Sequence, residues 1–177
     1  MPGLPRHREE FRFVSSTSLK VPNDLWGDFA LLHNCWMKLA AGGDLPARQS
    51  ISLPDLPPAL RGLTNLLGVE ISETGGHAFR FRLFGSLQRM ETLVPPTGRL
   101  IAEVIPDASY CAMMQQHYSE VVTARAPRFD RIFNSVGPKG HQAPYSYDRL
   151  ILPLSFDGLT VTDLMTCSLK TPESSGG

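Results

Sequence analysis

Tyr147-Asp148-Arg149-Leu150-Ile151-Leu152-Pro153-Leu154, followed by Asp157-Gly158 and then by Val161 to Leu169, decides how this chain folds. The first run, taken from Tyr145 to Leu154, reads as a strand, and Val161 to Leu169 reads as its partner. Asp157-Gly158 lies between two apolar runs, where a tight turn needs residues that tolerate positive φ. Asp148 and Arg149 are neighbours on the strand and therefore face opposite sides of it. That placement suits Arg149 to fixing strand pairing better than to chemistry. Immediately upstream, Arg128 to Val136 is a third strand, ended by Gly137-Pro138-Lys139-Gly140.

Working further back, Pro106-Asp107 is a credible helix start, and Tyr110, Met114, His117 and Val121 then share one helical face. Ahead of that helix, Leu67, Val69 and Ile71 alternate with polar residues. Thr74-Gly75-Gly76 turns the chain, and Phe79, Phe81 and Leu83 alternate with Arg80 and Arg82. This is a hairpin pattern. The first strong element opens at Asn23 or Asp24 as a cap and carries Leu25, Phe29, Leu32, Trp36 and Leu39 on one stripe until Gly42-Gly43. Pro54 suits the first turn of a short helix within Leu53 to Leu60. Residues 1–21 read as a mobile N-terminal segment with one sticky stretch, Phe11-Arg12-Phe13-Val14. Residues 22–170 form one domain, and 171–177 a flexible tail. The expected fold is α+β: a five-stranded antiparallel sheet with helices on one face and an N-terminal helix.

The 177 residues include 17 Lys+Arg and 17 Asp+Glu, a formal charge of zero. Recognition of nucleic acid through its phosphates needs a basic surplus, so that partner is not expected. No apolar run reaches the roughly 18 residues of a membrane span. Cys35, Cys111 and Cys167 are scattered singly and suggest neither a disulfide framework nor a zinc site. A reducing, cytoplasmic setting is expected.

Several segments resemble a bacterial family of PAS-like proteins. These are Trp36-Met37 with Gly42-Gly43-Asp44-Leu45-Pro46-Ala47-Arg48, then Phe79-Arg80-Phe81-Arg82-Leu83-Phe84-Gly85-Ser86, then Thr97-Gly98-Arg99, and finally Tyr147 to Leu154 with Asp157-Gly158. The order of two strands, a helical middle and three strands is also that of a PAS domain. The family usually carries Gly-x-Asp-Leu ahead of its Thr-Gly turn, where this chain reads Glu91-Thr92-Leu93-Val94-Pro95-Pro96. The resemblance implies a PAS-like five-stranded sheet and a role in sensing, signalling and protein contact, with homodimerisation through the N-terminal region.

From this follow the candidate sites. A pocket between helix and sheet would be lined by Phe79, Phe81, Tyr110, Met114, His117, Ile151 and Met165. Arg82 would add a fork for an anionic ligand or partner. The competing reading of the same residues is a filled core. The resemblance also makes haem thinkable, with His117 as axial ligand. Leu25, Phe29, Leu32 and Trp36 are the candidate dimer interface. No Gly-x-Ser-x-Gly elbow, His-Glu-x-x-His, Walker loop or dinucleotide fingerprint is present, so an enzyme is not expected. Three functions remain: a sensor of a small apolar ligand that signals to a partner protein, a pure interaction module with a solid interior, and a small pocket enzyme.

Overall fold

The computed structural model describes residues 10–88 and 94–172. The elements are β1 (Glu10–Leu19), α1 (Gly27–Leu39), α2 (Pro58–Arg61), β2 (Thr64–Ile71), β3 (His77–Leu83), α3 (Ile101–Val104), α4 (Ala108–Ala124), β4 (Arg128–Gly137), β5 (Ala143–Ser155) and β6 (Val161–Lys170). Short 3-10 turns at Arg48–Ser50 and Leu53–Asp55 lie between α1 and α2. The described strands form an antiparallel six-stranded sheet, curled into a half-barrel, in the order β1-β4-β5-β6-β2-β3.

The expected five-stranded sheet with an N-terminal helix is therefore corrected. Residues 10–19, assigned to the lead-in, are β1, paired with β4 from Glu10 opposite Gly137 to Leu19 opposite Phe129. Phe11 and Phe13 alternate, but a bulge between Phe13 and Ser15 breaks the period and Ser15-Ser16-Thr17-Ser18 looks like loop. An edge strand buries only part of one face, so its pattern is weak. Residues 1–9 of the lead-in and the segment Glu91-Thr92-Leu93 lie outside the described residues, as does the tail beyond Pro172.

Helices on one face is the second correction, because α1 and α4 cover opposite faces of the sheet. On one side the Phe29 ring meets Phe129 at 5.1 Å and Trp36 Nε1 donates to the Pro153 carbonyl at 2.9 Å. On the other the Tyr118 ring of α4 meets Phe79 at 5.3 Å. Alternation explains the sorting. Phe129, Asp148, Leu150 and Leu152 point towards α1, whereas Asp130, Arg149, Ile151, Phe79 and Phe81 point towards α4. Buried side chains of this size contribute about 1.5–3 kcal/mol each, so both layers hold the sheet.

Helix starts differ in detail. Asp107 caps α4 by accepting the Tyr110 N–H at 2.8 Å. Asp24 does not cap α1; its carboxylate takes the Lys20 N–H at 2.6 Å, and the N-cap is Trp26. Among the described residues, no helix is long and apolar enough to cross a membrane.

Candidate functional site

Register brings two mirrored dipeptides together. Asp130-Arg131 of β4 lies opposite Arg149-Asp148 of β5, with Asp130 paired to Arg149 and Arg131 to Asp148. Each face of the sheet thus carries one of these two cross-strand acid–base pairs. On the α1 face, Asp148 is fully buried and accepts Arg131 through Nε and Nη2 at 2.7 and 2.9 Å. It also takes the Trp26 Nε1–H at 2.7 Å and the Thr171 hydroxyl at 3.1 Å.

The pair on the α4 face lies in the interior. Arg149 Nη2 is 3.3 Å from Asp130 Oδ2 and 2.9 Å from His117 Nδ1. Its guanidinium stands 5.3 Å from the centre of the Tyr118 ring, a cation–π distance. Arg128 Nε donates to both Asp130 oxygens, at 2.8 and 3.0 Å, and Arg128 also pairs with Glu120. Tyr110 and Tyr147 join hydroxyl to hydroxyl beside this cluster. Burial pushes the Asp130 carboxyl up, but His117 and the charges of Arg149 and Arg128 outweigh it and hold the group below its ordinary value. Burial likewise pushes Tyr118 up to about 12 and Tyr147 well above the usual phenol, so both remain protonated at neutral pH.

Ser16, His117 and Asp130 stand in the order of a nucleophile–base–acid relay: Ser16 Oγ is 3.5 Å from Nε2, and Nδ1 is 3.1 Å from Asp130. Two groups compete for Nδ1: the Arg149 guanidinium at 2.9 Å can only donate to it and the Asp130 carboxylate at 3.1 Å can only accept from it. A relay needs the carboxylate alone on that nitrogen and a serine in close hydrogen-bond reach, and Ser16 stands at 3.5 Å. Asp130 is also shared with two arginines, Arg128 and Arg149. The cluster clasps β1 and α4 to the sheet.

The same contacts decide the haem expectation. Both ring nitrogens of His117 are engaged, in a side chain 6% exposed. Neither is left to ligate iron, so these residues do not fit the group. Among the described residues, no three His, Cys, Asp or Glu side chains converge as a metal site.

Of the expected pocket residues, Phe79, Phe81, Tyr110, Met114, His117 and Ile151 do gather on the α4 face, where Phe79, Phe81, Met114 and Ile151 are at most 2% exposed. Arg82 and Met165 do not join them, being on the α1 face. Arg82 donates to Asp163 at 3.1 Å and lies across Gly68, where a Cβ would stand 2.5 Å from Nε. A side chain at Gly68 would have to displace the guanidinium end of Arg82. Phe29, Leu32 and Trp36 are buried against the chain's own sheet, with Leu25 partly buried.

Two depressions of about 410 Å³ lie outside this interior. One runs between α1 and residues 50–58, the other between the end of β1 and the end of α4. The Pro-rich segment that walls the first was not among the expected site residues. Its proline spacing signals a loop, and nothing in it signals a groove. No protein-family model, no curated protein and no solved structure matches this chain.

Proposed function

We propose that the chain acts as a PAS-like regulatory adaptor, recognising a signalling partner protein in the cytoplasm across its outer surface, with an interior too full to house a ligand. The observation that supports this reading most is the α4–sheet layer. At its centre, where a sensor would hold a small molecule, Arg149 Nη2 engages Asp130 and His117 between Phe79, Phe81, Met114 and Ile151, while Arg149 Nε and Nη1 are buried without a hydrogen-bond partner among the described residues. Opening a chamber there would strand a buried guanidinium, at a cost of several kcal/mol. The large apolar side chains left exposed among the described residues include Leu31, Met37 and Leu39 on α1 and Phe156 and Leu159 in the β5–β6 turn, with Val14, Ile71, Leu87 and Phe133 elsewhere on the surface. Such surface marks contact with other proteins when it clusters.

Native mass spectrometry and an absorbance spectrum of freshly purified protein test the reading. The expected result is the mass of the chain without an adduct and no visible absorption. A retained metabolite mass, or a Soret band, would overturn it in favour of the ligand sensor.

A further inference from the structure

The trough along α1 has a floor of buried Leu32 and Leu56 and walls of Leu31, Cys35 and Pro57. Its upper wall is open, since Leu31 is 61% exposed and Cys35 is exposed. A small molecule in a binding site is typically 70–90% enclosed, which an open trough cannot provide. A helix needs only one stripe covered. Asp28, Leu31, Leu32 and Cys35 line the α1 side over seven residue steps, about 10 Å of helix at 1.5 Å per residue, a length matching two turns of a docked helix. The charges lining the trough are both negative, with Arg61 outside the lining but within electrostatic reach of Asp55. The ionisable groups lining the trough, besides the Cys35 thiol, are Asp28 in the first turn of α1 and Asp55 across from it, with no Lys or Arg among them. Asp55 is held below the usual carboxylate range by the Ser52 hydroxyl and N–H, both of which bind Oδ2. Oδ1 makes no hydrogen bond among the described residues.

We infer that this trough seats an amphipathic helix of the partner protein, with Leu- or Phe-type side chains against Leu31, Leu32 and Leu56 and a Lys or Arg beside Asp28 and Asp55. The inference rests on the adaptor reading and names the partner's chemistry.

The probe is an 18-residue helical peptide of leucine and lysine, labelled with fluorescein and titrated by anisotropy. Its counterpart replaces each lysine with glutamate. The leucine–lysine peptide is expected to bind saturably in the micromolar range and to slow alkylation of Cys35 by N-ethylmaleimide. Asp28→Lys weakens it at least tenfold, and Leu31→Asp abolishes it. Leu31 is exposed, so circular dichroism of that variant should match the wild type. Absence of binding, equal binding of the glutamate peptide, or unchanged affinity in both variants would overturn the inference. An adduct in the native mass spectrum overturns the adaptor reading instead, and that spectrum does not depend on the titration.

Discussion

Asp130 is wholly buried between two guanidiniums, and removing it exposes what the pair costs. In Asp130→Ala, Arg149 keeps its charge inside the protein without its carboxylate. We expect a loss of about 3–5 kcal/mol in urea unfolding. The double variant Asp130→Leu/Arg149→Met removes both charges together and should recover most of that loss. A double variant no more stable than Asp130→Ala would show that the cluster does more than balance itself. The facing-away of Asp148 and Arg149 was legible from one strand, because alternation alone decides it. The partner of Arg149 was not, because register needs both strands. The mirrored dipeptides Asp130-Arg131 and Asp148-Arg149 were the available signal.

A second residue-scale effect concerns pH. Asp157 accepts the N–H groups of Thr160 at 2.7 Å and Leu159 at 2.9 Å, together with the Ser155 hydroxyl. Those bonds depress its carboxyl to about 2. A folded value below the ordinary one, near 4, means the turn is fully stabilised above about pH 4 and loosens as the pH falls towards 2. The amide shifts of Leu159 and Thr160 should titrate with a midpoint near 2, and Asp157→Asn should flatten them. A midpoint near 4 would contradict the assignment.

Among the elements, α4 ends on a strained residue. Arg125 sits in left-handed backbone at φ 53°, where a side chain is unfavourable, and is exposed. Arg125→Gly should stabilise the protein by about 0.5–1 kcal/mol, read as a higher thermal midpoint. An unchanged or lower midpoint would show that the side chain holds the β4 approach. The strands β2 and β3 were legible from their period of two and α4 from its period of 3.6, while β4, β5 and β6 were legible as apolar runs bounded by the turns at Gly137-Pro138-Lys139-Gly140 and Asp157-Gly158. β1 was not: its serines satisfy a half-exposed edge as well as a loop, and only the open edge of β4 makes them a strand. The two-sided placement of the helices was equally hidden, since an apolar stripe says that a helix is covered but not from which side. Met165 was misplaced for that reason, whereas Arg82 alternates with Phe81 in the sequence and its place on the face opposite Phe79 and Phe81 was legible there.

At the scale of the molecule, the stripe on α1 separates two ways of hiding the same surface. Phe29 is fully buried, packed edge-on against Phe129 and Trp26. In a dimer built on that stripe, Phe29→Asp would release a folded monomer. In this fold it places a carboxylate between α1 and β4, where Arg131 on the same face is already paired with Asp148, and burying an uncompensated charge costs more than a domain of this size has to spare. We expect Phe29→Asp to lose its cooperative thermal transition by circular dichroism. Leu31→Asp, four-tenths buried on the outer side of the same helix, should keep that transition. Light scattering of the wild type and both variants completes the comparison. A folded Phe29→Asp protein of half the wild-type mass would show that α1 is covered by a second copy and not by the sheet. That result would also remove the inner wall of the trough, because Leu32 would then belong to the interface.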